Sequence, residues 1–272
     1  MKILLCAIAK CENNYIREWV KHYKDIGFDN IVIYDNNDED GEDISAPIKD
    51  FVDSGFVILE DYRGLRSHYD EETKVCSMQE KSYNECYAKY GSSYDWIAFF
   101  DCDEFLEFED CKDIKEYFSK YNIERYNCVR FCWKNYTDSG IISINGNYSV
   151  KRFSKWLKDT AGKSIIRTGM GLKRHITAHG SKSARPVCDA VGNEIQYLER
   201  LTFVAESPVY KGAWINHYRW KTIEEYIRKR LRGYPDMPFS ESDKKITFDK
   251  FFKENEKTDE KLEIIKKYTG GV

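Results

Sequence analysis

The sequence predicts an α/β protein with a mixed, mostly parallel central sheet flanked by helices and followed by a C-terminal helical extension. Three observations carry this expectation. Apolar runs at residues 3–9, 30–34, 56–59 and 96–100 have the length of buried strands, and helical periodicity or turn residues separate them. The strand, helix, strand order at the N-terminus implies a parallel pair with a right-handed crossover. The fourth run ends in Asp101-Cys102-Asp103-Glu104, so charge gathers at a strand's carboxyl end, the rim where open α/β sheets bind ligands.

Taken in order, residues 1–9 resemble a leader only briefly. The run stops at Lys10-Cys11-Glu12-Asn13-Asn14, too short to cross a bilayer, and reads as the first strand. Residues 15–23 place Tyr15, Trp19 and either Ile16 or Tyr23 on one helical face, with Asn13 or Asn14 as cap and Gly27 as terminator. After the second strand, residues 35–41 form a turn-rich acidic loop. Residues 44–54 suit a helix, 56–59 a third strand, and 77–90 a helix leading into the strand before the acids. Residues 128–133 alternate like a strand, 135–140 read as a loop, and 141–205 as short strands and turns. Thr222 caps a helix over 223–231 that Gly233 stops, and the tail at 244–267 is charged and partly amphipathic. No internal repeat and no apolar segment of about 20 residues is present.

At 272 residues the chain can bury a sizeable core. Its 43 Lys and Arg against 46 Asp and Glu give a net charge of −3, which argues against a general polyanion binder, nucleic acid included. Nine cysteines form no Cys-x-x-Cys pair and no repeated metal-ligand spacing. Buried reduced thiols and a cytoplasmic location are therefore expected.

Two adjacent carboxylates raise each other's pKa unless a cation intervenes, so Asp101-x-Asp103 is a candidate clasp for Mg²⁺ or Mn²⁺. Such ions prefer oxygen ligands and keep positions open for substrate phosphates, which points to a nucleoside diphosphate. Solvated loop ends and helix caps also produce short acidic triplets.

Three separated segments converge on one family. They are Ala9-Lys10-Cys11-Glu12-Asn13 with Glu18-Trp19 and residues 34–41; Gln79 with Trp96 and residues 100–106; and Ile215-Asn216-His217-Tyr218 with Lys221, Lys229, Arg230, Arg232 and Gly233. Over roughly residues 3–235 the chain resembles bacterial family-2-type glycosyltransferases, in the branch that shares these signatures with family 92. The resemblance implies a GT-A fold over residues 1–235, with a nucleotide-binding half at 1–110, an acceptor half at 111–235, and a helical extension at 236–272.

It also implies residue roles. Asp101, Asp103 and His217 would hold the metal, although a lone histidine is commonly a hydrogen-bonded structural residue. Ala9, Asn13, Asp35, Asn37, Gln79, Asp101, Lys221 and Arg230 would surround the donor, Asp35 beside base or ribose; the alternative for Asp35 is an Asx turn. Glu104 and Asp138 are the candidate catalytic carboxylates, Glu104 supporting the metal ligands and Asp138 standing where a base could deprotonate the acceptor. Asp138 is open to a turn role as well. Lys221, Lys229, Arg230 and Arg232 could close over a leaving diphosphate, form a solvated face, or meet anionic lipid head groups. His175 and His179 have helical metal-ligand spacing, but nearby glycines weaken the helix, and His179 is better read as shaping an acceptor pocket. Trp133, Tyr136, Trp156, Trp214 and Trp220 are either sugar-stacking faces or core.

The expected activity is metal-dependent transfer of a sugar from a nucleoside-diphosphate donor, uridine diphosphate foremost, to a glycan or lipid-linked glycan. The family resemblance implies inversion and a role in cell-surface polysaccharide synthesis, with peripheral contact at the inner membrane face through the basic tail. Two rivals remain. A nucleotidyl- or phosphotransferase would ordinarily show a glycine-rich phosphate loop, which residues 10–14 lack. A non-catalytic glycan-binding protein of the same fold is the other.

Overall fold

The computed structural model describes residues 1–69, 76–144, 146, 148–172, 176–196, 207–233 and 248–269. In chain order the elements are β1 (Ile3–Ala9), α1 (Asn13–Asp25), β2 (Asn30–Asp35), a 3₁₀ turn (Ala46–Ile48) running into α2 (Lys49–Asp53), β3 (Val57–Asp61), α3 (Met78–Tyr90), β4 (Trp96–Phe99) and β5 (Glu104–Phe108). Then come α4 (Ile114–Lys120), β6 (Cys128–Tyr136), β7 (Trp156–Arg167), β8 (Val187–Cys188), β9 (Glu194–Ile195), β10 (Ala213–His217), α5 (Ile223–Leu231), α6 (Asp249–Glu254) and α7 (Asp259–Thr269).

The sheet runs β3-β2-β1-β4-β7-β6-β10-β5, with β8 and β9 beside β6. Strands β3, β2, β1 and β4 are parallel. Strand β7 is antiparallel to both β4 and β6, so β6 points the same way as β4. Strand β10 is parallel to β6 and β5 antiparallel to β10. The carboxyl ends of β4, β6 and β10 therefore share one rim with the start of β5. That arrangement brings Asp101, Asp103, Glu104 and His217 together.

Both faces of the sheet are covered, which explains why β1 is apolar at every position rather than alternating. On one face α1 inserts Trp19 and Tyr23, both fully buried. Trp19 Nε1 and Tyr23 Oη each donate to the Glu104 carbonyl at 2.9 Å, which fixes the start of β5 beneath the acids. Helix α1 ends as expected at Gly27, whose φ of +88° suits glycine, with the Phe28 N–H closing on the Tyr23 carbonyl.

The N-terminus of α1 differs from expectation. Glu12 occupies the cap position and its side chain makes no cap bond. Instead Glu42, from the acidic loop, accepts from the Asn13 N–H at 3.1 Å. Glu12 is committed elsewhere, to Arg232 and Lys221. The expected cap at Asn13 or Asn14 is thus replaced by a residue distant in sequence.

Two further differences concern residues 111–235. The expected loop at 135–140 begins later, because Asn135 and Tyr136 continue β6 and pair with Leu157 and Trp156. Where short strands were expected, β7 is a single twelve-residue strand. Its first three residues are exposed, the next three half-buried and the following five buried, so no alternation marks it in the sequence. Gly162 makes this strand possible: a Cβ there would lie 1.8 Å from the Phe131 carbonyl oxygen. Strands β5 and β10 and helix α4 have no counterpart among the sequence expectations.

The helix over 223–231 forms as expected, with a full capping box between Thr222 and Glu225 and a stop at Gly233, φ +76°. Helices α6 and α7 turn their apolar faces onto it, burying Phe251 and Ile265 with Trp220, Ile223, Tyr226 and Ile227. That face is therefore not free to enter a bilayer. Among the described residues no helix is long and apolar enough to cross a membrane. All nine cysteines are free thiols, six of them buried. His175 and the start of the charged tail at 244–247 lie outside the described residues.

Candidate active site

Asp103, 5 % exposed, sits at the floor of a cleft of about 210 Å³ at the rim. Its Oδ2 lies 2.6 Å from Lys229 Nζ on α5, and its Oδ1 3.7 Å from His217 Nε2 at the end of β10. Burial pushes the Asp103 pKa up, but the cations around it, Lys229 first and Lys221 after it, outweigh that and hold it well below the usual carboxylate range. The carboxylate is ionised and is the cleft's most deeply set negative charge.

His217 is also buried, and burial drives its pKa well below the usual value despite Asp103 nearby. It is neutral. Its Nδ1 lies 3.0 Å from Asn135 Oδ1, while Asn135 Nδ2 donates to Asp159 Oδ2 at 2.6 Å. With Asn135 presenting its oxygen, the network assigns the histidine proton to Nδ1. The Nε2 lone pair then points toward Asp103.

Asp101 is held differently. Its Oδ1 accepts from Gln79 Nε2 at 2.7 Å and Tyr83 Oη at 3.0 Å, and its Oδ2 lies 3.0 Å from Lys163 Nζ. Lys163, on β7, is 1 % exposed, and Asp101 and Glu104 keep its pKa raised against the effect of burial. Glu104 is wholly enclosed. Its Oε2 accepts from the Asp101 N–H at 2.9 Å, and burial pushes its pKa well up, with Lys163 only partly opposing. Glu104 thus supports Asp101 and touches nothing in the cleft.

Of the expected donor residues, Gln79 and Asp101 line this cleft. Lys221 lines an adjoining cleft that shares Glu12, Arg219, Trp220, Lys229 and Arg232 with the first. Ala9, Asn13 and Arg230 line neither, although Ile8, Lys10 and Asn14 beside the first two do. Asp35 is the anchor of the acidic loop: its Oδ1 accepts from the Asn37 N–H at 3.0 Å, and its Oδ2 takes Arg63 at 2.9 Å. Arg63 gathers the carbonyls of Asp38, Glu39, Gly41 and Glu42. Asn37, fully buried, spends its oxygen on the Cys11 N–H. The Asx-turn alternative is the geometry seen at Asp35.

Asp138, the expected candidate base, is held in a buried ion pair. It is 2 % exposed, its Oδ1 accepts from the Gly140 N–H at 2.8 Å, and its Oδ2 is paired with Lys261 of α7. Sequence reasoning missed Lys163, Tyr83, Asn135 and Glu12. Lys163 left a usable signal: a lone charge between Gly162 and the apolar Ile165-Ile166 marks a buried cation awaiting a carboxylate.

His179 contacts the Trp133 ring, centroids 5.3 Å apart, and its Nδ1 lies 2.9 Å from the Gly162 carbonyl. Burial, reinforced by Lys163, pushes its pKa down to about 4. Between that value and the unfolded value near 6.5 only the unfolded chain takes up the proton, so stability is present above pH 6.5 and falls as pH drops toward 4. The expected contribution is up to about 3 kcal/mol. Urea titrations of wild type and His179→Gln at pH 7 and pH 4.5 check it: the variant should lose less stability on acidification, and equal losses refute the assignment.

The sequence pattern of Glycosyltransferase family 92 matches residues 6–182. Curated relatives include family 92 proteins of plants. One from Arabidopsis thaliana is 23% identical over 86% of this chain and 38% of its own length. One from Ricinus communis is 28% identical over 39% of this chain and 17% of its own. The chain thus spans well under half the length of these relatives. Among solved structures, S. aureus TarS 1-349 in complex with UDP-GlcNAc aligns with a TM-score of 0.46 and 12% identity, covering 84% of this chain and 64% of that one. With 177 of its 272 residues inside the family pattern, the chain belongs to Glycosyltransferase family 92.

Proposed function

We propose that this chain transfers a sugar from a nucleoside-diphosphate donor, uridine diphosphate the expected carrier, to a glycan or lipid-linked glycan, with inversion and with a divalent cation. The observation that supports this most is the convergence of Asp103 Oδ1 and the His217 Nε2 lone pair, 3.7 Å apart, at the floor of a cleft rimmed by basic side chains. A carboxylate oxygen and a neutral imidazole nitrogen suit Mn²⁺ or Mg²⁺, and with only two protein ligands the diphosphate has room to supply others. When bound, such an ion offsets the negative charge that builds on the departing diphosphate.

The protein's own groups do the rest. Lys229, beside Asp103, and Arg232, which is held 2.8 Å from Glu12, bring fixed positive charge to the leaving group. Asp101 has its oxygens engaged by Gln79, Tyr83 and Lys163, an arrangement that favours a hydroxyl-binding role over direct metal ligation. Asn135, itself held by Asp159, keeps His217 in the ligand tautomer. The setting we propose is cell-surface polysaccharide assembly. In the described part of the tail, α6 and α7 turn buried apolar side chains onto α5, which favours charged residues for any membrane contact there.

Calorimetric titration of UDP and a panel of UDP-sugars, with Mn²⁺ and after EDTA, tests the reading. Binding that weakens at least about tenfold on chelation is expected. A folded protein that binds no uridine nucleotide under either condition would sink the uridine donor and bring forward a non-catalytic glycan-binding role.

A further inference from the structure

We propose that Trp156, Tyr210 and Trp214, gathered about Lys134, form a stacking platform for a pyranose ring of the acceptor glycan. The proposal rests on the glycosyltransferase reading above and adds where the acceptor sits.

Lys134 Nζ lies 3.4 Å from the Trp214 ring centroid, 4.8 Å from that of Trp156 and 5.8 Å from that of Tyr210. The Trp156 and Tyr210 rings meet at 5.5 Å and 61°. Among the described residues Trp156 is the one tryptophan among the exposed large apolar side chains, at 37 %. It is the first residue of β7 and pairs with Tyr136 at the end of β6, on the same rim as Asp103. An indole placed there contributes little to the core.

The cluster is wired to the site. Tyr210 Oη accepts from the Asp159 N–H at 2.7 Å and lies 3.0 Å from the carbonyl of Trp133, whose side chain lines the cleft. Asp159 in turn holds Asn135, which holds His217. Successive residues of β6 face opposite sides, so a sugar beside Lys134 lies across the strand from Trp133 and the cleft, at the rim the two faces share.

The chemistry matches a pyranose. Its C–H face is apolar and flat and suits an indole, while its hydroxyls need donors and acceptors at the edge. Lys134 supplies donors. Glu107, directly across from Trp214 in the β5–β10 register, supplies a carboxyl acceptor. The same aromatic surface without polar groups at its margin would suit a lipid chain or a protein partner instead.

The test uses the full chain on an array of neutral and uronate-containing tetrasaccharides, with and without UDP and Mn²⁺, comparing wild type, Trp156→Ala and Trp156→Phe. Wild type should retain a subset of the glycans, Trp156→Ala should lose them by about tenfold or more, and Trp156→Phe should recover part of the loss. UDP affinity and hydrolysis of the donor by water should be the same in all three. Undiminished glycan binding by Trp156→Ala, or a wild type that retains no glycan, overturns the platform. Failure of UDP binding in wild type counts against the donor reading alone, because the array without nucleotide still decides the platform.

Discussion

Asp103→Asn is expected to lower sugar transfer by about two to three orders of magnitude, the scale on which one charge-stabilising group acts where charge develops. The substitution keeps the side chain's shape and removes its charge. Lys229 loses its partner at 2.6 Å and His217 loses the carboxylate it faces. Lys229 is not sealed in, with its side chain 23 % exposed, so it can turn to water and the fold should survive. Calorimetry should show UDP binding that no longer responds to Mn²⁺, and single-turnover transfer should fall in step. Transfer within about tenfold of wild type would mean that Asp103 is not where the leaving group is stabilised.

Lys261→Met should give the largest loss of stability, about 3 to 5 kcal/mol, because it strands the buried Asp138 carboxylate. Lys261 is 1 % exposed and Asp138 2 %. The pair joins α7 to the turn after β6, and Asn255 adds a second tie through the Asp138 N–H at 2.6 Å. Lys261 also donates to the Glu256 carbonyl at 2.6 Å, a tie that methionine removes as well. The double variant Lys261→Met with Asp138→Asn should recover much of the loss, since no charge is then left unpaired. Urea denaturation of the four proteins measures the coupling. The same set tests the role of Asp138: as a structural residue, Asp138→Asn should lose stability yet retain transfer within a few-fold when folded. A loss of about 10³-fold or more at full folding would return Asp138 to the position of base.

The sequence and the structure divide the information unevenly. Residues 1–100 were legible because their strands are buried on both faces and spell themselves as apolar runs, and because Gly27 and Ser77 mark helix ends locally, as Thr222 does late in the chain. The acids at the end of the fourth strand were legible for the same reason. Strands β5, β7 and β10 were not, since β7 passes from exposed to buried along its length and β5 and β10 are five residues each.

Roles were harder to read than elements. Asp35, Asp101, Asp103 and Asp138 are the same residue type at similar strand ends, yet one anchors a loop on Arg63, one is locked by Gln79, Tyr83 and Lys163, one faces His217, and one is paired with Lys261. A carboxylate's function is set by which partners reach it and how much water remains. Here those partners lie from 18 to 126 residues away in sequence. By itself, then, the sequence determined that this chain builds a sheet with acids at its rim and a capped basic helix late in the chain, because strand burial and helix capping are local. Only the tertiary structure decided which acid lies open to the cleft and which is neutralised, because the cations that make the difference arrive from β7, α5 and α7.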